Sequence, residues 1–423
     1  MNPRDGLLQS FLVAVKDADP LHIVPQHLPK PPKGRTFVAG AGKASAAMAQ
    51  AVERNWPADA QLDGLVVTRY GHRLSASRIK VVEAGHPLPD SHGVQASHEI
   101  LTIAGALTAD DLLLCLFSGG GSSLLALPIE SVSLQDLREI TQQLLRCGAN
   151  IQEINTVRKH LSAIQGGRLA AVCKAPALAL IISDVTGDGA THIASGPCAP
   201  DPTTFSDALA VLDRYDLDAP ATVRQILCAG RDGVVHETPK PGSAIFAQVE
   251  NRIIANAHAS LVAAAQYFQS HGITPLILGD TVTGEAREIA KSYAAFAREI
   301  RCYPRGLKAP VALLSGGETT VTIRGNGRGG RNSEFLLSLL IELGGLEEVY
   351  ALACDTDGLD GSENNAGALI TPDSLARARK LGLNAAESLR NNDAYTFFQQ
   401  LNDLVITGAT YTNVNDYRTI LIL

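Results

Sequence analysis

A glycine-rich turn with a lysine is the first segment whose residue types could do chemistry. In VAGAGKASAAM, residues 38–48, a short apolar strand runs into Gly40, Gly42 and Lys43 and then into an alanine-rich helix. Glycines let the backbone approach an anion, the first turn of a helix offers unpaired N–H groups, and a lysine adds a full positive charge. The segment is not a P-loop, because that motif would need glycine in place of Phe37. It predicts a phosphate or carboxylate site, and a plain strand-to-helix turn with a solvated lysine is the alternative.

A second turn, SGGGSS, follows the apolar run LLLCLF and leads into another helix start. Its residues are Ser118, Gly119, Gly120, Gly121, Ser122 and Ser123. Three consecutive glycines cost conformational entropy in any fold, so a glycine run that enters a helix indicates close approach to a phosphate or carboxylate. The last two serines would add hydroxyl donors. The alternative is that one of these serines caps the helix while the glycines form the turn.

The richest segment is LSGGETTVTIRGNGRGGRNSEFLLSL, residues 314–339. It opens on a turn similar to the second one, made of Ser315, Gly316, Gly317 and Glu318. Residues 325–330 fit G-x-G-x-x-G, the pattern of a dinucleotide turn. Arg328 and Arg331 among these glycines favour bidentate binding of a carboxylate or phosphate instead. Exposed loop arginines are the alternative for Arg324 and Arg328.

Two acidic turns follow apolar strands. One holds Asp184 and Asp188, and the other, DTDGLDG, holds Asp355, Asp357 and Asp360. Carboxylates at the carboxyl ends of strands suit Mg²⁺ or can accept a hydroxyl proton, so we assign Asp184, Asp355 and Asp357 as candidate metal ligands and Asp188 as candidate base. DTDGLDG is not an EF-hand, because the glutamate at its twelfth position and the entering helix are missing. Asx-turn residues are the alternative, above all for Asp360.

A proline-stiffened loop, AGHPLPDSHG at residues 84–93, carries the one histidine that we consider for the site. His86 could bind an anionic substrate or orient a base. A lone loop histidine is more often structural or exposed. We therefore place His86 among the candidate substrate-binding residues, in a supporting position.

The elements that must position these turns alternate between short apolar runs and longer helical patterns, which is typical of α/β domains with mainly parallel sheets. Strands are predicted over residues 36–39, 64–68, 80–83, 112–117, 178–183, 275–278, 311–315, 320–324, 349–354 and 418–423. Helical periodicity predicts helices over residues 44–54, 93–104, 260–270, 284–301 and 333–343. Parallel sheets place ligands at the carboxyl ends of their strands, where these turns lie.

The length of 423 residues corresponds to roughly two to three domains of about 150 residues, and two are expected. The segment HETPKPGS, residues 236–243, has two prolines and a glycine with mixed charges. It predicts a boundary between domains over residues 1–240 and 241–423. A surface loop within one large domain is the alternative.

Composition and charge exclude several classes of function. Apolar residues make up 45% and charged residues 19% of the chain, which is enough for a packed core in each domain. The net charge is −7 and no long basic run occurs, which argues against nucleic acid as a partner. No apolar stretch approaches the ~20 residues that cross a bilayer, and the N-terminus lacks a secretory pattern, so we expect a cytoplasmic protein without membrane contact. The seven cysteines form no CxxC pair, which argues against a disulfide framework or zinc site, and Cys115 and Cys354 are expected in the core.

Several of these segments together resemble the glycerate 2-kinase family, whose second half is called the MOFRL domain. They are VAGAGKAS, GHPLPD, SGGGSSLL, SDVTGDG, SGGETTVTIRGNGRGGRNSE, DTDGLDG and TGATYTNVND, and they run along nearly the whole chain. The resemblance implies a Rossmann-like α/β N-terminal domain and a MOFRL-type α/β C-terminal domain, with the active site in the cleft between them. It also implies ATP-dependent phosphorylation of D-glycerate at the 2-hydroxyl, with Lys43 and Arg331 as functional residues. Ser333 stands where many relatives have glutamine.

Kinase chemistry agrees with the residues themselves, because phosphoryl transfer depends on positioning and charge neutralisation by cations, glycine-lined anion sites and Mg²⁺. We predict that Lys43 and Arg331, from opposite domains, neutralise the migrating phosphoryl group and the glycerate carboxylate. The SGGGSS turn would cradle nucleotide phosphates or substrate. The expected partners are glycerate and ATP with Mg²⁺, and a homodimer is left open.

Two other functions compete with the kinase hypothesis. The G-x-G-x-x-G pattern supports an NAD(P)H-dependent hydroxypyruvate reductase, although no acidic residue is clearly placed about 20 residues further on to bind the ribose. A non-catalytic sensor of small hydroxy acids could use the same cleft. Such a sensor would bind glycerate without turnover, and it would leave the carboxylates at the strand ends unexplained.

Overall fold

The structure, a computed structural model, describes residues 2–185, 187–303 and 306–423. The chain divides into two compact units. The N-unit comprises Pro20–Ile254, and the C-unit comprises Ala255–Leu423 together with the segment up to Asp19. Each unit is built on its own six-stranded sheet.

The helices and strands of the described residues follow one another along the chain in the α/β manner that the sequence predicts. The α-helices are α1 (Pro3–Asp17), α2 (Pro20–Ile23), α3 (Ser45–Asn55), α4 (Ser91–Gly105), α5 (Gly121–Leu124), α6 (Leu134–Arg146), α7 (Ile151–His160), α8 (Arg168–Val172), α9 (Phe205–Arg214), α10 (Ala221–Arg231), α11 (Ala257–Ser270), α12 (Ala286–Cys302), α13 (Arg331–Leu343), α14 (Ser374–Lys380), α15 (Ala385–Arg390) and α16 (Ala394–Leu401). The strands are β1 (Thr36–Ala41), β2 (Leu62–Arg69), β3 (Ile79–Ala84), β4 (Leu112–Phe117), β5 (Ala177–Ile182), β6 (Val249–Ala255), β7 (Thr274–Gly279), β8 (Gly284–Glu285), β9 (Val311–Ser315), β10 (Thr319–Thr320), β11 (Val349–Asp355), β12 (Gly367–Ile370), β13 (Leu404–Val405) and β14 (Asp416–Ile422). Short 3-10 helices cover Val24–His27, Ile193–Ser195 and Ala244–Gln248.

The sheet of the N-unit has the strand order β3-β2-β1-β4-β5-β6. The pairings of β1 with β2 and β4, of β2 with β3, and of β4 with β5 are parallel. Strands β1, β4 and β5 are buried along their full length, which is why they read as continuous apolar runs. This order is that of a Rossmann fold, so the predicted Rossmann-like domain is confirmed.

The sheet of the C-unit has the order β13-β12-β11-β14-β9-β7. Strands β7 and β9 pair in parallel, whereas β9 with β14, β14 with β11, β11 with β12, and β12 with β13 are antiparallel. The α/β class is confirmed, but the expectation of a mainly parallel sheet is wrong for this unit. A fully buried strand gives the same apolar run in either direction, so the sequence pattern could not report how these strands pair.

The structure also divides the chain at a different place from the predicted boundary between residues 240 and 241. Strand β6 follows that boundary yet forms the edge of the first sheet. The proline-rich segment belongs to the same unit, because Asp201 N–H donates to Pro239 O at 2.9 Å and Thr238 Oγ1 donates to Asp201 Oδ2 at 3.0 Å. The first residues join the C-unit, where Thr412 Oγ1 donates to Ala18 O at 2.7 Å.

Most predicted elements lie where the sequence places them, and one does not. The strands predicted over 112–117 and 311–315 coincide with β4 and β9, and the five predicted helices correspond to α3, α4, α11, α12 and α13. The strand predicted over 320–324 is wrong, since β10 ends at Thr320. The N–H of Thr322 donates to the Glu285 carboxylate at 3.1 Å and that of Arg324 to Asn392 Oδ1 at 2.7 Å, so side chains take the amides that would extend a ladder.

Two further expectations concern cysteines and membrane spans. Cys115 and Cys354 are fully buried, as expected, and all seven cysteines are free thiols. Among the described residues, no helix combines the length and apolar character that crossing a membrane requires.

Candidate active site

The loops that carry the predicted chemistry of the N-unit leave one edge of its sheet. GAGKA ends β1, and the loops GHPLPD, SGGGSS and SDVTGDG follow β3, β4 and β5. Because these strands run parallel, the four loops share the carboxyl edge of the sheet. The strand order reverses between β1 and β4, and ligands of open α/β sheets bind at such a reversal.

The turns after β1 and β4 are connected by hydrogen bonds from backbone N–H groups. The N–H of Lys43 donates to Gly119 O at 2.8 Å, and the Ser118 hydroxyl accepts the next N–H of the chain at 3.0 Å. A Cβ at Gly42, where φ is +142°, would lie 2.1 Å from Ser118 Oγ, and a Cβ at Gly40 would lie 2.5 Å from a carbonyl oxygen of β4. These two glycines and Ser118 therefore permit the close packing that fixes Lys43 in place.

Three residues that the sequence places in separate motifs come together at this reversal. A Cβ at Gly120, where φ is +78°, would lie 3.0 Å from Nε2 and Cδ2 of His86 and 3.5 Å from Cγ of Lys43. Lys43 and His86 are each partly exposed. We call Lys43, His86 and Gly120, with the adjoining Ser122 and Ser123, the lysine site. It joins a cation, an imidazole and a glycine turn, a combination that suits an anionic ligand.

The last residues of the SGGGSS turn contact the loop that follows β5. A Cβ at Gly121 would lie 2.6 Å from the Cβ of Ala194, and the hydroxyls of Ser122 and Ser195 lie 2.8 Å apart. The Ser123 hydroxyl donates to the carbonyl of the preceding turn at 3.1 Å. Ala194 and Ser195 both have positive φ, +49° and +54°, in which non-glycine residues are strained. Such strain is often retained at functional sites.

The acidic residues of the same loop lie at this edge of the sheet. Asp184 lies two residues after the end of β5, and both Asp184 and Asp188 are partly buried. Asp188 has a positive φ of +53°, and its N–H donates to Val185 O at 3.1 Å. Thr186 of the SDVTGDG motif lies outside the described residues. The SGGGSS turn contacts this loop at Ala194 and Ser195, and the two carboxylates lie earlier in the same loop.

The sequence analysis missed two residues beside the lysine site. Arg158 on α7 and Gln165 in the turn after it line a narrow crevice together with Ser122 and Ser123. The only signal was the basic run RKH at the end of α7, and basic residues are common in the last turn of any helix. Their proximity to the SGGGSS turn comes from tertiary packing.

The C-unit has its own cluster of charged residues, built around Arg331. Asp355 ends β11 and Asp416 begins β14, and the two are direct partners across these antiparallel strands. Like charges at such positions repel. Arg331 relieves the repulsion, because its Nε lies 2.9 Å from both oxygens of Asp416 and its Nη2 lies 2.8 Å from Asp355 Oδ2. Burial lowers the pKa of the Arg331 guanidinium, but Asp416, Asp355 and Glu318 outweigh it and hold that pKa well above its ordinary value.

The turn SGGE supports this cluster from the neighbouring strand. Ser315 pairs directly with Arg418, whose Nη1 donates to Gly316 O at 3.3 Å and which also contacts the carboxylate beside it on β14. A Cβ at Gly317, where φ is +104°, would lie 2.4 Å from a backbone nitrogen of the loop before β8. Ser315, Gly316 and Gly317 thus pack against protein here, whereas the side chain of Glu318 is 59% exposed and lies 3.2 Å from Nη1 of Arg331. We call Arg331, Asp355, Asp416, Glu318 and Arg418 the arginine site.

The G-x-G-x-x-G turn is occupied by the protein's own side chains. Its backbone amides donate to Asn391, Asn392 and Asp393, at distances from 2.7 Å to 3.2 Å. The N-terminus of α13, where a dinucleotide pyrophosphate would bind, is capped by Asp360, which accepts from the N–H groups of residues 332 and 333 at 2.9 Å and 2.8 Å. Arg328 contacts the Glu363 carboxylate and lies 4.5 Å above the Tyr395 ring. The amides of residues 325–328 are therefore already engaged by the protein and are not open to a pyrophosphate.

The acidic residues of the C-unit have the chemistry that Mg²⁺ requires. The carboxylates of Asp355 and Asp357 are 2% and 1% exposed, and the N–H of Asp357 donates to Asp355 Oδ1 at 3.0 Å. Among the described residues, no three histidine, cysteine or acidic side chains gather as a metal cluster. Mg²⁺ often takes only one or two protein carboxylates, with phosphate oxygens and water completing its shell. Asp355 and Asp357 thus supply oxygens of the type that Mg²⁺ binds, while both oxygens of Asp355 already accept from Arg331 and from the N–H of Asp357.

Fold and sites together define a two-unit α/β protein with a glycine-rich turn beside a lysine in one unit and an acidic, arginine-centred cluster in the other. The profile of a domain of unknown function, DUF4147, matches residues 6–228, and that of the MOFRL family matches residues 311–416. A protein of Agrobacterium vitis provisionally named hydroxypyruvate reductase is 49% identical over all of this chain and 95% of its own. A D-glycerate 2-kinase of Thermotoga maritima is 39% identical over 94% of this chain and 93% of its own. A crystal structure of a glycerate kinase from Thermotoga maritima superimposes with a TM-score of 0.87 at 36% identity and covers 99% of both chains.

The chain belongs to the glycerate 2-kinase family and is similar to its members along nearly its whole length. The MOFRL domain of this family lies in its C-terminal part. The resemblance that the motifs suggest is thereby confirmed. Relatives in this family carry both the kinase and the reductase name, so the residues of this chain have to distinguish the two reactions.

Proposed function

We propose that the protein transfers the γ-phosphoryl group of ATP to the 2-hydroxyl of D-glycerate, giving 2-phosphoglycerate and ADP. Its kinase relatives support the reaction class. The observation that carries the proposal is the lysine site at the strand reversal of the N-unit, where Lys43, His86 and the turn at Gly120 converge. Phosphoryl transfer is catalysed mainly by positioning and by neutralising negative charge, which is what such a site can supply.

In this proposal Lys43 pairs with the phosphoryl oxygens as they move from ATP to glycerate. Its backbone is fixed by Gly119, so the ammonium group reaches the ligand from a rigid support. The SGGGSS turn and His86 form the wall against which the anion lies. A positive charge placed in advance costs no reorganisation during the reaction, and losing one such group typically costs about 100- to 1,000-fold in turnover.

We propose that Arg331 contacts the ligand through Nη1, because buried carboxylates already bind its other two nitrogens. Nε and Nη2 are engaged by Asp416 and Asp355, whereas Nη1 faces the exposed Glu318 carboxylate. An ion pair with an exposed carboxylate contributes little to stability, so another anion can take the place of that carboxylate. An anionic oxygen of the substrate or nucleotide can therefore replace Glu318 on Nη1 while the other contacts keep the guanidinium oriented.

The carboxylates have two proposed tasks. Asp355 and Asp357, or Asp184 in the other unit, would hold Mg²⁺, which neutralises the β- and γ-phosphate oxygens when bound. Asp188 would accept the proton of the 2-hydroxyl as its oxygen forms the new bond to phosphorus and ADP departs.

The reductase alternative is disfavoured by the hydrogen bonds of the G-x-G-x-x-G turn. Its amides serve Asn391, Asn392 and Asp393, and the helix that follows is capped by Asp360. A nicotinamide dinucleotide would have to displace all of these contacts. Moreover, β14 lies between β9, which precedes the turn, and β11, which follows α13, and it is antiparallel to both, so the adjacent parallel strands of a dinucleotide-binding βαβ unit are not formed there.

The decisive experiment supplies D-glycerate and Mg-ATP and couples the product to enolase, pyruvate kinase and lactate dehydrogenase. We expect prompt NADH oxidation without phosphoglycerate mutase, because enolase accepts 2-phosphoglycerate directly. A signal that appears only after mutase is added would assign the 3-hydroxyl instead. A parallel reaction with hydroxypyruvate and NADH or NADPH tests the reductase, and turnover there without any kinase signal would overturn the proposal. Binding of glycerate without turnover in either assay would leave the sensor as the better explanation.

Lys43→Met is the variant that tests the lysine site itself. We expect kcat to fall at least about 100-fold while the thermal unfolding temperature stays close to that of the parent. Lys80→Met is the matched control, since Lys80 is an exposed lysine of the same unit that pairs with Glu99 at 2.8 Å. Equal activity of the two variants would contradict the role assigned to Lys43.

A further inference from the structure

A narrow crevice beside the lysine site holds an arginine for which the protein provides no counterion. Arg158 on α7 lines it with Ser122, Ser123 and Gln165. The rest of the wall is formed by four apolar residues and two with hydroxyl groups, namely Pro89, Ala126, Leu127, Leu137, Thr141 and Ser162. The crevice has room for about one water molecule, so it accepts the end of a ligand and not a whole ligand. Through Ser122 and Ser123 it is continuous with the SGGGSS turn.

Among the described residues, no carboxylate pairs with Arg158 and no oxygen accepts a hydrogen bond from its guanidinium. Burial lowers the pKa of Arg158 to about 10, and no neighbouring charge offsets that effect. The side chain is nevertheless charged at neutral pH. The next residue of this helix, Lys159, does have a counterion. Its Nζ lies 2.6 Å from Asp201 Oδ1, and both side chains are fully buried. Arg158 is partly buried, and a cation that has lost part of its hydration is stabilised when a ligand supplies the missing counterion.

The same crevice has an unused acceptor on Gln165. The side-chain amide nitrogen of Gln165 donates to Ser122 O at 2.8 Å and to Leu125 O at 3.0 Å, which fixes the orientation of the amide. Its Oε1 is buried and has no hydrogen-bond partner among the described residues, and the residue is only 2% exposed. Buried acceptors are nearly always paired. A ligand that satisfies the crevice must therefore bring both an anion for Arg158 and a donor for Gln165.

We propose that Arg158 and Gln165 form the subsite that binds the carboxylate and an adjacent hydroxyl of the 2-hydroxy acid substrate. The inference rests on the proposed kinase function and names the part of the substrate that each residue recognises. The planar guanidinium binds a carboxylate through two parallel N–H···O bonds, and Gln165 Oε1 accepts a hydroxyl proton. Arg158 is then a specificity-determining residue that distinguishes hydroxy acids from neutral polyols.

The shape and polarity of the crevice favour a carboxylate over the phosphates of the nucleotide. A triphosphate with its metal ion is far larger than the short polar end of a ligand that the crevice accepts. An ionised phosphate has no proton to give to Gln165 Oε1, and its oxygens would repel that acceptor. A 2-hydroxy acid has the required pair of groups on neighbouring carbons.

The test compares substrates with and without the carboxylate in the parent enzyme and in Arg158→Gln. With D-glycerate, we expect kcat/KM of the variant to fall roughly 10- to 150-fold, the size of a lost charge-assisted hydrogen bond, mainly through KM for glycerate. KM for ATP should stay unchanged. With glyceramide, which has an amide in place of the carboxylate, parent and variant should differ by less than about threefold. Arg158→Lys should regain only part of the loss, since a lysine cannot form the bidentate pair.

Matched measurements separate this inference from the function on which it rests. Arg146→Gln removes an exposed arginine of the neighbouring α6 and should leave both KM values unchanged. Calorimetric titration of D-glycerate into the parent and into Arg158→Gln, without ATP, reads binding apart from turnover. Lack of kinase activity in the parent would refute the proposed function. An active parent whose Arg158→Gln variant keeps KM and affinity for glycerate, or loses affinity for ATP instead, would refute the subsite.

Discussion

The contact between Gly120, His86 and Lys43 allows a test of the active site that uses backbone geometry and removes no functional group. Gly120→Ala adds a single methyl group at φ +78°, 3.0 Å from the His86 ring and 3.5 Å from Cγ of Lys43. Gly71 has the same φ of +78°, but nothing lies within 4 Å of a Cβ there. Gly71→Ala therefore imposes the same backbone strain without touching the lysine site.

The two substitutions should have similar effects on stability. An alanine in the left-handed region costs about 1–2 kcal/mol, and the less flexible unfolded chain returns about 0.4–1 kcal/mol of that. We expect the free energy of unfolding to fall by about 0.5–1 kcal/mol in Gly71→Ala and by a little more in Gly120→Ala, where the His86 ring must also shift. Urea unfolding of both variants measures this difference.

Their effects on catalysis should differ. A displacement of about 1 Å in a catalytic group can cost about 100-fold in rate, so a shift of a few tenths of an ångström in Lys43 and His86 should lower kcat by roughly 10-fold. Gly71→Ala should keep parental kcat. The coupled assay with D-glycerate and Mg-ATP gives both values. If Gly120→Ala retained the kcat of Gly71→Ala at similar stability, the convergence of Lys43, His86 and Gly120 would have no bearing on the reaction.

Two predictions concern stability. Asp360→Ala should lower the free energy of unfolding by about 2–4 kcal/mol, because the N–H groups of Asn332 and Ser333 lose their acceptor. Burial raises the pKa of Asp360 above its ordinary 3.8. Its contribution to the free energy of unfolding is therefore largest in acid and declines as pH rises through the folded-state pKa. Urea unfolding should show a larger difference between Asp360→Ala and the parent at acidic than at neutral pH. Lys159→Met should cost about 3–5 kcal/mol, because Asp201 is left buried without its cation, and the added change Asp201→Asn should restore part of the loss. An unchanged unfolding midpoint in Lys159→Met would contradict this account.

A structural element could be predicted from the sequence where it depends on consecutive residues, and could not where it depends on contacts between distant parts of the chain. Strands β4 and β9 were predicted to the residue, because a continuous apolar run bounded by polar turns is a local property. Edge strand β6 was missed, since its partly exposed sequence VENRIIA shows no strong apolar pattern. The segment after β10 contains alternating apolar residues, yet Ile323 is 82% exposed there, because Glu285 and Asn392 take the amides that a strand would use.

The candidate site divides in the same way. The motif around Lys43 and the SGGGSS turn could be recognised from glycines next to a predicted helix, and the structure brings them together at the strand reversal. The G-x-G-x-x-G turn looked equally capable of binding a dinucleotide. The amides of residues 325–328 donate to Asn391, Asn392 and Asp393, more than sixty positions further along the chain, and no local pattern reports such a contact.

The family, the α/β class and the residue types suited to anion binding could be read from the chain alone, because short motifs and apolar periodicity are properties of consecutive residues. Packing between distant segments selects which of those residues stay open to a ligand and which bind other parts of the protein. It paired Lys159 with Asp201 but gave Arg158 no carboxylate among the described residues, although the two cations are neighbours in the chain. Successive residues of a helix point in directions about a quarter-turn apart, so adjacent charges meet different surroundings that only packing defines.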